Sequence, residues 1–340
     1  MKRCTILLIC FICSSAICFG QAIDASALQE TARDFIKKGD FDNAILVLNR
    51  AITAEPESKD LKKDLLYASY LKRDFAKAIE VGEQLIKRTD ADVQTYQMLG
   101  LAYKAIADNK EAEKLYKNGL KKFANEGIMY SEYGELIAEK EPENALKLFE
   151  KGIEADANHS TNYYHIARWY AKQGDVLWSI IYAEMFLNLE SFTSRSTEIK
   201  NLLLEQYKKS FTSGAGEATT SNKKPNDFIK EVATVLSQQQ SQAAFGITPE
   251  SLTVIRTRFI LQWFDKDAER FPFRLFDHQR QLLQEGLFDA YNQWLFGPAS
   301  NLAAYQLWQK YHAEDYNNYL SFVRGRVFKI PEGQQYKNLN

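Results

Sequence analysis

The sequence predicts an all-α protein in which a solenoid of about five helical pairs precedes an aromatic-rich α-helical region. Three observations support this prediction. Ala44, Ala78 and Ala112 recur at equal intervals of about 34 residues, a period typical of stacked helical pairs. An aspartate precedes each of these alanines by four residues, and no stretch shows the alternation of polar and apolar residues that is typical of a strand. Since one helical pair cannot bury its apolar face alone, we expect the pairs to stack.

The first repeat shows what each residue type contributes. Gly39, Asp40 and Phe41 form a predicted turn between two helices, in which Gly39 supplies an unrestricted backbone. Small residues let the helices approach, a bulky residue fills the space between them and a proline ends the unit. These residues are Ala32, Ala44, Leu48, Ala51 and Pro56.

Later repeats keep this pattern with substitutions. The third repeat has Leu99, Gly100 and Tyr103 in its first helix. The fourth repeat is one residue shorter, with Pro142 in its turn and Ala145 at the alanine position. The fifth has Ser179 at that position, one full period after Ala145. An ordinary helix bundle would share the helical periodicity but not the recurrence of the turn.

This pattern resembles that of tetratricopeptide repeat proteins, and the resemblance covers residues 24–192. It implies a non-catalytic scaffold or adaptor that binds a protein or peptide partner in a concave groove lined by the first helix of each pair. Counting from the small residue near the middle of each first helix gives the side chains expected to face this groove; the alternative for each is solvated surface. They are Arg33, Lys63, Tyr67, Tyr70, Gln97, Lys104, Glu135, Tyr164 and Arg168.

The family's carboxylate clamp is not reproduced in this sequence. Tyr67 stands where that clamp has an asparagine. Capture of a C-terminal carboxylate is therefore not implied by the resemblance.

Residues 1–20 have the features of a signal peptide. Lys2 and Arg3 precede an apolar run that is shorter than a membrane span, and cleavage is expected before Gln21. We therefore expect a soluble protein exported to a bacterial periplasm, with lipid anchoring at Cys18 as the alternative. All four cysteines lie in this segment, so the mature chain can form no disulfide.

The remainder of the chain is predicted to be helical and divided by a linker. Residues 193–211 form a helix that caps the array, 212–226 a polar linker, 227–330 the aromatic-rich region and 331–340 a tail. Helices are expected from Phe228, from Thr248, from Leu275 to Leu295, and from Leu302 to Phe322 after the Gly297-Pro298 break.

The last of these segments carries a degenerate repeat signal. Asp315 precedes Pro331 by the same interval as that between Asp40 and Pro56. This spacing is compatible with a sixth helical pair, but bulky Tyr319 and Arg326 occupy the two small positions and argue against it.

The aromatic residues allow two interpretations. Their helical spacing favours a core, whereas exposed rings would form a glycan-binding or cell-wall-binding platform. Residues 271–274 (Phe-Pro-Phe-Arg) are the best candidates for exposed aromatics. The aromatic region is expected either to fold independently or to dock on the capping helix through Leu202, Leu203 and Tyr207.

Catalysis and cofactor binding have little support in the sequence. The four histidines form no HExxH pair, and no Gly-x-Ser-x-Gly elbow or phosphate loop is present. Asp265, Asp267 and Glu269 are interpreted as a solvated helix end. The net charge of −1 gives no electrostatic footprint for nucleic acid. We expect no enzyme activity, no cofactor and no metal.

Overall fold

The computed structural model describes residues 24–212, 226–244, 246–331 and 333–334, and these residues form helices and no strand. The all-α prediction is confirmed. Two compact units are present, one ending at Thr89 and one beginning at Asp90; we call them the N-terminal and C-terminal units. The predicted signal peptide, nearly all of the predicted linker and most of the predicted tail lie outside the described residues.

The N-terminal unit contains two helical pairs. Within each pair the helices pack against each other, and α2 also packs against α3. Their bounds are α1 (Ala25–Lys37), α2 (Phe41–Ala54), α3 (Lys59–Leu71) and α4 (Phe75–Ile86).

The C-terminal unit begins with three more pairs, α5 with α6, α7 with α8 and α9 with α10, and continues into the aromatic region. The bounds are α5 (Val93–Ala105), α6 (Asn109–Lys122), α7 (Gly127–Ile137), α8 (Pro142–Ala155), α9 (Ser160–Gln173), α10 (Val176–Leu189), α11 (Ser194–Thr212), α12 (Asp227–Ser237), α13 (Pro249–Lys266), α14 (Arg274–Gln284), α15 (Phe288–Ser300), α16 (Leu302–Tyr311) and α17 (Ala313–Gly325).

The recurring aspartates begin the second helices of the first three pairs. Asp40, Asp74 and Asp108 are the N-caps of α2, α4 and α6. Each side chain accepts a hydrogen bond from the backbone N–H three residues later, over 3.1 to 3.3 Å. This bond satisfies a backbone N–H that the first turn of the helix leaves unpaired. The helix dipole also stabilises the negative charge of the aspartate at this end.

Aromatic rings from the second helices pack directly against glycines in the first helices. A Cβ on Gly100 would overlap the ring of Tyr116, and a Cβ on Gly134 would overlap that of Phe149. Tyr116 and Phe149 are both buried. The sequence correctly identified these small residues as sites of close helix approach.

The turn between the helices of a pair has a left-handed residue in several repeats. Gly39 and Gly174 have a φ of 77°, which glycine adopts freely, whereas Arg73 and Ala107 at the equivalent position have φ of 66° and 59°. A side chain in this conformation costs about 1–2 kcal/mol. The second and third repeats therefore contain local backbone strain.

Replacing Ala107 with glycine is expected to stabilise the protein by about 0.5–1 kcal/mol, because relief of the strain exceeds the added entropy of the unfolded chain. Urea unfolding of wild type and Ala107→Gly checks this. Gly174→Ala is the matched control and should destabilise the protein by a similar amount. An unchanged or lowered midpoint for Ala107→Gly would contradict the strain argument.

The aromatic region differs from the sequence prediction in its helix boundaries. The helix expected from Leu275 to Leu295 is two helices, α14 and α15, because Gly286 adopts a φ of 72° between them. Pro298 lies inside the last turn of α15 rather than at a break. Asn301 begins α16 instead, and its side chain accepts a hydrogen bond from Ala304 N–H.

The register of the chain argues against a sixth repeat between Asp315 and Pro331. Asp315 lies in the first turn of α17, whose N-cap is His312, whereas the repeat aspartates are themselves N-caps. His312 also separates α16 from α17 where one helix was expected. The spacing to Pro331 therefore does not mark another helical pair.

The aromatic residues of this region form a core. Phe259, Trp263 and Phe276 are buried together. The expectation that residues 271–274 expose aromatic rings is wrong: Phe271 and Phe273 are 9% and 3% exposed. Both rings pack edge-on against Phe228 of α12, with centroids 5.8 and 5.1 Å away.

Helix α10 is buried on every side, at each residue from Val176 to Leu187. A helix that is apolar all round must be covered on all faces, and here α9, α11 and α12 pack against it. Its one buried acid is Glu184, which forms an ion pair with Arg256 of α13. Tyr291 Oη and Gln279 Nε2 also donate to Glu184 Oε1, over 2.8 and 2.7 Å.

This cluster joins α10 of the repeat array to α13, α14 and α15 of the aromatic region. Arg256 also donates to Asn292, and Asn188 Nδ2 donates to Tyr291 Oη over 2.7 Å. The positive charge of Arg256 and the negative charge of Glu184 are both nearly inaccessible to water, so each depends on the other for its stability.

Removing one charge of this pair is expected to destabilise the protein by about 3–5 kcal/mol, because the other charge stays buried without its partner. Glu184→Gln and Arg256→Met test this by urea unfolding. The double variant, which removes both charges, should be less destabilised than the sum of the two single variants. Additive losses would show that the two side chains are not coupled.

Candidate partner-binding face

In the N-terminal unit, the predicted groove residues lie on α1 and α3. Arg33 Nε donates to Asp64 Oδ2 over 2.9 Å, and Gln29 Nε2 donates to the same oxygen over 2.7 Å. Tyr67 is 42% exposed. Tyr70 is half-buried and packs against Phe75, with ring centroids 5.9 Å apart. The predicted residue Lys63 lies half-buried on α3.

In the C-terminal unit, the first helices follow one another. Helix α5 contacts α7, α7 contacts α9, and α9 contacts α11. The polar side chains that these four helices bring together form what we call the first-helix face. It contains the predicted residues Gln97, Lys104, Glu135, Tyr164 and Arg168.

Glu132 of α7 organises the first part of this face. Its carboxylate accepts hydrogen bonds from Gln97 Nε2 over 3.0 Å, Lys104 Nζ over 2.7 Å and Tyr116 Oη over 3.2 Å. Lys104 Nζ also donates to Glu135 Oε2 over 2.8 Å. Two of the predicted residues, on α5, are thus held by one buried acid on α7.

The charges of this cluster are mutually stabilised. Burial alone would lower the pKa of Lys104, but Glu132 and Glu135 raise it above its ordinary value. Burial would raise the pKa of Glu135, yet Lys104 holds it below its ordinary value. Both groups therefore stay charged at neutral pH.

Tyr164 lies at the centre of the second part of the face. It is 9% exposed, so it is not the open contact residue that the sequence suggested. Its hydroxyl donates to Glu198 Oε2 over 2.7 Å. The guanidinium groups of Arg168 and Arg195 each lie 5.0 Å from its ring centroid, which is within cation–π range.

Arg168 is the most accessible cation of this cluster. Its side chain is 50% exposed, and its Nε lies 3.0 Å from Glu198 Oε1. Over the described residues Glu198 is the only acid that forms an ion pair with it. Half of its side chain therefore remains accessible to a binding partner.

The structure adds residues that the sequence interpretation missed. Glu132 lies two residues before Gly134, whereas the predicted residues Gln97 and Tyr164 lie three residues before Gly100 and Ala167, so the count passes over it. Arg195 and Glu198 belong to α11. This helix follows the last repeat, so counting positions within the repeats could not identify them. Among the described residues there is no cluster of side chains suited to a metal ion. Nor does any helix in the described ranges have the length and apolarity needed to cross a bilayer.

Comparison with known families identifies the repeats. One family model of the tetratricopeptide repeat matches residues 30–93, and a second matches residues 93–121. The chain therefore contains tetratricopeptide repeats over residues 30–121. These repeats support a role as a protein-interaction scaffold. No curated protein sequence gives a significant match.

Solved structures similar to this chain include TTC0263 of Thermus thermophilus, a thermophilic tetratricopeptide repeat protein. That structure is 16% identical, covers 53% of this chain and 99% of its own, and has a TM-score of 0.45. Another is YrrB, described as having an unusual peptide-binding site. It is 15% identical, covers 52% of this chain and 92% of its own, and has a TM-score of 0.37.

A histidine beside the first-helix face is uncharged at neutral pH. His165 stacks on Phe149, with ring centroids 4.6 Å apart. Burial lowers its pKa to about 4; Glu135 opposes this shift, whereas Arg168, Arg195 and Lys104 add to it. The pKa is about 6.5 in the unfolded chain. The unfolded chain therefore binds more protons between these values, and the protein loses stability as the pH falls from 6.5 towards 4.

His165→Phe should remove this part of the acid sensitivity while keeping the stacking. Between pH 7 and pH 5 the variant is expected to lose about 1–2 kcal/mol less of its free energy of unfolding than wild type. Urea unfolding at both pH values measures this. His312→Phe, which changes an exposed histidine, serves as the control. An equal loss in wild type and His165→Phe would show that His165 does not titrate on unfolding.

Proposed function

We propose that the protein is a non-catalytic adaptor of the bacterial cell envelope, which binds an extended segment of a partner protein on the first-helix face. The observation that carries this proposal is the half-exposed side chain of Arg168, whose guanidinium is held against Tyr164 and Glu198. A guanidinium that is already positioned loses little side-chain entropy on binding. Arginine and tyrosine are also the side chains that most often dominate binding energy at interfaces.

The face is suited to a polar segment with an acidic side chain or exposed backbone carbonyls. Arg168 offers donors, whereas the half-exposed Glu135 and Glu198 offer acceptors for backbone N–H groups. Because these side chains are paired before binding, the partner has to match charges of both signs. Such matching favours specificity over raw affinity.

The envelope location rests on the amino-terminal sequence. A basic start, an apolar run and small residues before Gln21 support export. Fractionation of the producing cells tests this part: we expect mature protein that begins at Gln21 in the periplasm. Uncleaved protein in the cytoplasm would contradict it, and labelling with palmitate would support anchoring at Cys18 instead.

Pull-down from envelope extract with the full chain tests the binding face. Arg168→Ala combined with Glu135→Ala should lower the recovery of a specific partner at least tenfold, since interface hot spots of this kind contribute about 2 kcal/mol or more. Tyr67→Ala tests the N-terminal unit separately. Lys114→Ala with Glu111→Ala, on the exposed side of α6, is the matched control.

Partner recovery that is unchanged in the Arg168→Ala/Glu135→Ala variant would contradict binding on this face, whatever the result for Tyr67→Ala. Co-sedimentation with peptidoglycan that the same variants leave intact would instead support a cell-wall-binding protein. Circular dichroism confirms that each variant is folded before its binding is compared.

A further inference from the structure

A cavity of about 260 Å³ lies in the C-terminal unit, where the end of α10 meets α14 and α17. For comparison, a cavity of about 150 Å³ in another protein holds benzene. The volume is therefore sufficient for a two-ring aromatic group. Its walls are largely apolar and are provided by Leu189, Phe192, Tyr319, Phe322, Val323 and Phe328.

One wall of this cavity is the imidazole of His278, which we use to name it the His278 pocket. His278 is 6% exposed. Its ring lies among Tyr291, Phe322 and Phe328, with centroid distances of 5.9, 5.9 and 5.2 Å. Within the described part of the chain neither of its nitrogens makes a hydrogen bond. The imidazole is therefore free to form a hydrogen bond with a molecule in the pocket.

The imidazole of His278 is neutral. Burial, together with the positive charges of Arg274 and Arg256, lowers its pKa to about 3. A neutral imidazole presents one N–H donor and one nitrogen acceptor. Asn188, Ser191 and Arg326 also line the pocket, but each donates to another group of the chain. The pocket therefore combines aromatic walls with an imidazole that can either donate or accept a further hydrogen bond.

We propose that the His278 pocket binds a planar aromatic ring that carries one hydrogen-bonding group, of the indole or phenol type. The ring packs against Tyr319, Phe322 and Phe328, and its N–H or O–H bonds with the imidazole of His278. Mainly apolar walls with a few placed polar groups are typical of small-ligand sites. Residues assigned to the first-helix face do not line this pocket, so the proposal is independent of the proposed function.

The mouth of the pocket also suits an aromatic guest. Phe192 and Val327 are 60% and 78% exposed and extend the apolar surface outward. The guanidinium of Arg326 lies 4.7 Å from the Phe322 ring and donates to Glu285 Oε1 over 2.7 Å. Because the charge of Arg326 is already paired with Glu285, the ligand needs no negative charge.

Calorimetric titration of the full chain with indole and with indene tests the proposal. The two molecules have nearly the same shape, but indene lacks the N–H group. Wild type is expected to bind indole at one saturable site, at least tenfold more tightly than indene. A parallel comparison of p-cresol with toluene covers the phenol type.

His278→Phe should abolish the preference for indole over indene, because phenylalanine keeps the ring but has no hydrogen-bonding nitrogen. His312→Phe, which changes a histidine outside the pocket, should leave it unchanged. Val323→Phe fills the cavity and should weaken all four ligands. If that variant is unfolded by circular dichroism, Val327→Trp at the exposed mouth takes its place.

Titration with N-acetyltryptophanamide separates the two sources of such a ring. Binding as tight as that of indole would indicate the side chain of a partner peptide, whereas binding of indole alone would indicate a free small molecule. Absence of saturable binding to both indole and p-cresol would overturn the proposal. So would an indole preference that persists in His278→Phe.

Discussion

The close approach of the two helices within each pair is the constraint on which the repeat array depends. The ring of Tyr116 occupies the space that a side chain at Gly100 would fill, and the ring of Phe149 occupies the corresponding space at Gly134. Any Cβ at these glycines would push the helices apart and expose the ring. Because consecutive pairs in the C-terminal unit pack in this way, their first helices come into contact with one another. That contact is what gathers Gln97, Glu132 and the other polar residues on one face.

Helix α10 shows how the array continues into the aromatic region. A terminal repeat usually presents a polar outer face, yet α10 is buried on all sides. Glu184 is therefore forced into the core, where Arg256, Tyr291 and Gln279 satisfy it. A buried ion pair contributes little net stability, but it penalises any packing that separates its charges. The cluster thus fixes how α13, α14 and α15 lie against α10.

The two candidate sites differ in their physical character. On the first-helix face the charges are paired before any partner arrives, and part of Arg168 remains accessible. This arrangement favours a partner chosen by its pattern of charges. The His278 pocket instead has mainly aromatic and aliphatic walls and a neutral imidazole that makes no hydrogen bond within the described residues, which favours a ring chosen by its shape and by one hydrogen bond. Both sites lie within the C-terminal unit, on different sets of side chains.

The sequence alone determined the repeat class, the turns that contain the recurring aspartates and the small residues at helix contacts, because these depend on local sterics that recur with every repeat. It also indicated that the aromatic residues form a core. Only the tertiary structure decided that Phe271 and Phe273 are buried, since their partner Phe228 is distant in sequence. It decided likewise that Tyr164 is bonded to Glu198, which lies beyond the repeats. Periodicity specifies which face of a helix is covered, whereas long-range packing specifies what covers it.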